Sequence, residues 1–232
     1  MIYTVLAQNH GVTVLEESTA ALLSDPAELA ELRIWTEPVY RDLLAVECGD
    51  LAQEEFHERY SHRKAILVLD MTGFTDTSLT SGSLPALLRI LTVQRICKPV
   101  LGKHNATLVR AFADDLVALF DDPADALRAA FEAHESVAAF TEWPDPALAA
   151  ACCIGIGYGD VYAIGPNLAM GAEMNCAAKL GEDTAVAGET LLTENMHNAV
   201  KDFPRATFTP RSSQELSFTF LSATRTKQEH AF

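Results

Sequence analysis

Apolar positions in this chain fall into two kinds of pattern, unbroken short runs and stripes at helical spacing. Ala65-Ile-Leu-Val-Leu69 has no polar interruption, which predicts a strand covered on both faces. Leu108–Phe120 reads as two short strands bent at Asp114-Asp115. Between them, Leu84, Leu87, Leu88 and Leu91 recur three and four apart, and Val93, Ile96, Cys97, Val100 and Leu101 continue the stripe. That spacing predicts a helix, kinked or ended near Pro99–Gly102. Asp122-Pro123 is an N-cap and first-turn pair for a helix reaching about Glu142. Ala147–Ile156 reads as a buried strand, Gly159-Asp160 as a two-residue hairpin turn, and 170–180 as a helix. Short β-like runs follow at 184–193 and 206–222, and Thr224–Phe232 is a polar tail.

The first 60 residues carry a different pattern. Ile2–Leu6 and Val12–Leu15 are β-like runs around the turn signal Asn9-His10-Gly11. Asp25-Pro26 starts a helix, Pro38 separates a second, and Gly49-Asp50 opens a third. The expectation is a mainly helical extension over 1–60, as a packing element, a sensor or an added dimer contact. A main domain over 64–222 and a tail over 223–232 follow. Intermixed strands and helices with hairpins and a crossover helix predict an α+β fold, a ferredoxin-like βαββαβ sandwich.

A net charge of −15 argues against a nucleic-acid-binding surface and against an anionic membrane surface. It does not argue against a nucleotide, because a divalent cation carries the local positive charge. The five cysteines show no C-x-x-C spacing and read as reduced core residues. With neither a signal-peptide pattern nor a long apolar window, a cytoplasmic location without a membrane span is expected.

Asp70-Met-Thr-Gly-Phe-Thr75 places a carboxylate at a strand end, followed by a glycine and a hydroxyl. Strand-end acids on neighbouring strands suit a divalent metal, which prefers hard oxygen ligands. These residues resemble the class III nucleotide cyclases, the adenylate and guanylate cyclase catalytic domains. Asp70–Thr75 matches that family's D-x-x-G-F-[TS] motif, and Ala113-Asp114 stands at its second, a G-D bend, with Ala for Gly. Ile154–Gly165 is similar to its glycine-rich hairpin, and Gly171–Leu180 to its G-x-x-V-N-x-A-x-R-L helix.

The resemblance implies a lyase that converts a nucleoside triphosphate to a 3′,5′-cyclic nucleotide and pyrophosphate, a signalling product. It implies Asp70 and Asp114 as ligands of a pair of Mg²⁺ or Mn²⁺ ions, and the backbone of Gly73, Phe74 and Thr75 as a phosphate cradle. Asn175 is then the ribose-orienting residue, and Lys179 stands where the family has a transition-state arginine. Arg211 falls near the family's triphosphate-binding lysine. Arg110 and Leu168 occupy the base-selecting positions. Leu168 accepts no hydrogen bond from an adenine amino group, whereas Arg110, a pure donor, suits a base presenting carbonyl oxygens such as uracil. Bacterial pyrimidine cyclases of phage defence depart from the purine pair in a comparable way, so ATP, UTP and CTP all stand as substrates. Because the family's metal and Asn/Arg halves come from different subunits, a homodimer with active sites at the interface is implied. The 84–101 helix and the glycine hairpin are candidate contacts or plain core. Asp115 reads as solvated. The second reading is a cyclase-fold homodimer that has lost turnover and binds nucleotide as a regulatory module.

Overall fold

The computed structural model describes residues 22–226 apart from 33, 113, 144, 146–148 and 166–167. The β-like runs read at 2–6 and 12–15 lie outside the described residues. Three helices come first: α1 (Pro26–Ala30), α2 (Glu37–Cys48) and α3 (Gln53–Tyr60). Asp25 caps α1 as its sequence implies, its carboxylate accepting from the Ala27 amide at 2.8 Å. Gly49 ends α2 in the left-handed conformation at φ 82° rather than opening α3. Helices α2 and α3 close a small core against the sheet, in which Val39 and Phe56 pack against Trp35, Leu43, Val46, Leu51, Tyr60 and Tyr162.

The remaining order is β1 (Ser61–Met71), α4 (Phe74–Ser81), α5 (Ser83–Lys103), β2 (Leu108–Phe112), β3 (Asp115–Phe120), α6 (Pro123–Ala139) and β4 (Cys152–Gly165). Then come β5 (Leu168–Met170), α7 (Ala172–Ala178), a π-turn (Lys179–Thr184), β6 (Thr190–Thr193), α8 (Glu194–Val200), β7 (Ala206–Arg211) and β8 (Phe220–Arg225). One mixed sheet runs β2-β3-β1-β4-β6-β8-β7, with β5 paired to β4. The fold is α+β, as expected. No helix among the described residues is long and apolar enough to cross a membrane.

β1 sits centrally, which is why its apolar run is unbroken: Ala65 to Leu69 are all at 0% exposure. Ala65, Leu67, Leu69 and Met71 face the main core under α5 and α6. Ile66 and Val68 face a second cluster with Val117, Leu119, Val161 and Ala177, under α7.

The leucines that set the α5 stripe are exposed rather than core, the first of the two alternatives read for this helix: Leu84 is 66% exposed, Leu87 57%, Leu88 40% and Leu91 49%. Other local expectations are overturned. The helix buries its other side, through Ala86, Arg89, Val93, Cys97 and Leu101, and continues past Pro99 to Lys103. Gly159-Asp160 is no turn, since β4 runs through it in register with β1, Gly159 opposite Lys64. β4 begins at Cys152, with 149–151 outside it and 147–148 of the expected strand outside the described residues, and α6 stops at Ala139 rather than Glu142.

The glycines of β4 are core, not an outward-facing contact. They lie on the α7 side, where an added Cβ at Gly155 would come 2.1 Å from the Ala177 carbonyl oxygen. At Gly157 it would come 2.7 Å from the carbonyl of Glu173, and at Gly159 2.6 Å from that residue's Cγ. Absence of side chains here lets α7 lie directly on the sheet backbone.

Candidate active site

The site grows from the C-terminal end of β1. Asp70 follows the buried run, half-buried, with its Oδ1 accepting from the Met71 amide at 2.7 Å. The antiparallel register pairs Leu69 with Leu116. One step further along the ladder, Asp115 stands across from Asp70 on the same sheet face. The two carboxyls are near enough for each to shift the other's titration. Asp115 is therefore half-buried beside Asp70 and not solvated, because the strand resumes at 115 and turns its side chain to the α7 face. Asp114 precedes it in the bend.

Burial raises the Asp70 pKa to about 7, and the charges of Asp115, Asp114 and Glu182 push the same way against the Met71 hydrogen bond. Burial also raises Asp115, as does Asp114, with Arg110 and Asp70 opposing. Glu182, in the π-turn, is raised by burial and by Asp115, Asp183 and Asp114. The acids are thus crowded and undercompensated. A divalent cation relieves that repulsion, and all the donors are hard oxygens, so the residues fit the metals the motif implies. Among the described residues no group of three or more His, Cys, Asp or Glu converges to hold an ion.

Gly73 follows two residues after Met71, at φ 71°, and caps the N-terminus of α4. Such a left-handed turn strains any residue with a Cβ, so glycine is the residue it requires. The amides opening α4, at Phe74 and Thr75, follow this turn. Thr72 ties the turn to the strand entering β4: its amide and its hydroxyl both donate to the Ala151 carbonyl at 3.0 Å.

Arg110 lies on β2 opposite Val117, which puts it on the same sheet face as Asp115. Leu168 is on β5, paired with Gly165 across the hairpin. Asn175 and Lys179 lie four apart on α7 and its exit, both exposed. Glu173 pins that helix, accepting from the Tyr158 amide at 3.2 Å, from the Thr193 hydroxyl at 2.8 Å, and from Asn195. Arg211 ends β7 at the far edge of the sheet and donates to Glu189 at 2.7 Å. Within one chain the structure gathers Asp70, Asp114, Asp115, Arg110 and Glu182. It leaves Arg211 apart from them.

Asp115 and Glu182 are the members that motif reading missed. The ladder register would have flagged Asp115, but the hairpin's bend position is not fixed by the sequence alone. Glu182 reaches the acids only through the π-turn, for which the chain shows no sequence signal.

No protein-family model matches the chain, and no curated protein matches it. Solved structures do. The guanylate cyclase domain of RhGC from Catenaria anguillulae, in complex with GTP, is 16% identical with TM-score 0.61, covering 72% of this chain and 98% of that one. A dimeric guanylyl cyclase domain of the RhoGC fusion protein from the aquatic fungus Blastocladiella emersonii is 15% identical with TM-score 0.60, over 73% and 99%. The adenylyl cyclase CyaB from P. aeruginosa is 17% identical with TM-score 0.56, over 74% and 98%. The chain has the fold of adenylate and guanylate cyclase catalytic domains.

Proposed function

We propose that this chain is a metal-dependent nucleotide cyclase, acting as a homodimer on a nucleoside triphosphate to give a 3′,5′-cyclic nucleotide and pyrophosphate. The observation that carries the reading is the carboxylate group at the end of β1, abutting a left-handed glycine turn that opens a helix. Carboxylates beside backbone donors are what phosphoryl transfer needs, since its catalysis is mostly positioning and charge compensation.

In this reading Asp70 and Asp114 hold Mg²⁺ or Mn²⁺, with Asp115 as a further acceptor. The bound metal lowers the pKa of the ribose 3′-hydroxyl and offsets charge on the phosphates. The amides opening α4 orient the β- and γ-phosphates. Burial holds Asp70 near neutrality in the free chain, and a divalent cation held there would favour its ionised form. Asn175 and Lys179, exposed on α7, serve the site of a second copy: Asn175 orients the ribose and Lys179 stabilises charge as the α-phosphate is attacked. Dimerisation is supported by the leucine face of α5. Arg110 offers donors to base carbonyls, which favours UTP or CTP, and ATP remains in the substrate set.

A second reading is a nucleotide-binding module with little turnover. It is favoured by Lys179, which keeps charge but lacks the planar bidentate fork of arginine. Incubation with each of ATP, GTP, UTP and CTP and Mn²⁺ distinguishes the two. Cyclic product from at least one, abolished in Asp70→Ala and Asp114→Ala, is the expected result. Nucleotide binding without product selects the module, and full activity in both variants removes the metal assignment.

A further inference from the structure

Arg89 is the one charged side chain among the described residues that the core encloses, at 6% exposure. Burying a guanidinium is costly, and here burial lowers its pKa, although arginine keeps its proton in proteins. Its place in the fold is specific. A Cβ built on Gly73 would stand 3.5 Å from Arg89 Nη1 and 3.9 Å from Nη2, so the guanidinium lies directly beneath the turn that opens α4. Nη2 also donates to the Ala149 carbonyl at 3.3 Å. Thr72 is bound two residues further on, at Ala151. Segment 149–151 therefore binds both Thr72, at the start of the turn, and the guanidinium that lies beneath Gly73.

A hydroxyl or a lysine stem would serve as a mere strut at lower cost. A full charge under the positive end of a helix adds to that end's potential, where anions are drawn. We propose that Arg89 is a positioning residue for polyphosphate: its charge, fixed beneath Gly73, holds the turn and supplies positive potential to the amides that open α4. This rests on the cyclase reading for the identity of the nucleotide, though not for the binding of a polyphosphate.

The test is calorimetric titration of the full chain with inorganic pyrophosphate in Mg²⁺, comparing wild type, Arg89→Met and Arg89→Lys. Methionine keeps much of the volume and removes the charge. The expected result is a loss of about tenfold or more in pyrophosphate affinity for Arg89→Met and a smaller loss for Arg89→Lys. In turnover, Arg89→Met should raise KM for the triphosphate by a similar factor and change kcat less. A weaker loss in Arg89→Met, or equal losses in both variants, overturns the proposal, as does a wild-type chain that binds no pyrophosphate. If Arg89→Met does not fold, Arg89→Gln takes its place, since it keeps hydrogen-bond donors without the charge: a loss of about tenfold or more upholds the proposal and a smaller one overturns it. The cyclase reading fails by a different result, Arg89-dependent pyrophosphate binding without cyclic product.

Discussion

Replacing Gly155 by alanine tests how α7 is carried. The new methyl would sit 2.1 Å from the Ala177 carbonyl oxygen, 2.5 Å from the Gly181 amide nitrogen and 2.9 Å from Leu180 Cβ. The two nearest atoms are backbone and cannot rotate aside. Ordinary contact starts at 3.4 Å, so α7 and the π-turn must lift from β4 by about 1 Å. Overpacking of this kind costs roughly 1–3 kcal/mol, and the rigid neighbours argue for the upper end. Alanine recovers about 0.4–1 kcal/mol by restricting the unfolded chain. The net expectation is a loss of about 2 kcal/mol, or about 4–8 °C in Tm for a chain of this size. Urea unfolding followed by tryptophan fluorescence measures it, with m unchanged. Gly102→Ala is the control, because nothing lies within 4 Å of its added Cβ inside α5. It should be neutral or stabilising by up to about 1 kcal/mol. A Gly155→Ala midpoint at or above wild type would refute the packing argument.

Other outcomes follow from the site and the surface. Asp70 holds its proton up to about pH 7 when folded, against a model-compound value of 3.8, so the folded chain binds more protons between these values. Its contribution is favourable at low pH and is lost as pH rises through about 7. Divalent-free urea unfolding between about pH 5 and 8 should show that slope in wild type and not in Asp70→Asn; parallel curves would exclude it. If the chain pairs through the leucine face as proposed, glutamate at Leu84, Leu87 and Leu91 should leave it monomeric in sedimentation and still folded, since these side chains are exposed in the single chain. A wild-type chain that is monomeric at micromolar concentration would count against that face. Lys179→Arg should raise turnover by restoring the bidentate fork. No gain in a folded dimeric variant would remove this lysine from the arginine role.

The parts of the fold set by local rules were legible. Ala65–Leu69 announced the central strand because both its faces are covered, and Asp122-Pro123 announced α6 because a cap is a local device. The parts set by what lies opposite were not. Leu84 to Leu91 have core spacing, yet α5 turns them outward because Ala86, Arg89, Val93 and Cys97 meet the sheet. Helical spacing identifies a stripe, not the neighbour that covers it. Gly159-Asp160 has turn chemistry, but the glycine is there to admit Glu173. In the site, Asp70 and Gly73 were found from their motif, whereas Asp115 depends on a ladder register that one residue of slip would reverse.

The widened turn after Lys179 has a consequence for the sign of the charge that α7 displays. In a regular α-helix residues 175, 179 and 182 would line one face. Glu182 would then stand one turn from Lys179 and neutralise it as a salt-bridge partner. The wider turn, closed by the Thr184 hydroxyl donating to the Lys179 carbonyl at 2.8 Å, rotates Glu182 toward Asp114 and Asp115 instead. One irregular turn thereby sorts anion from cation, leaving Lys179 exposed and, among the described residues, outside every ion pair.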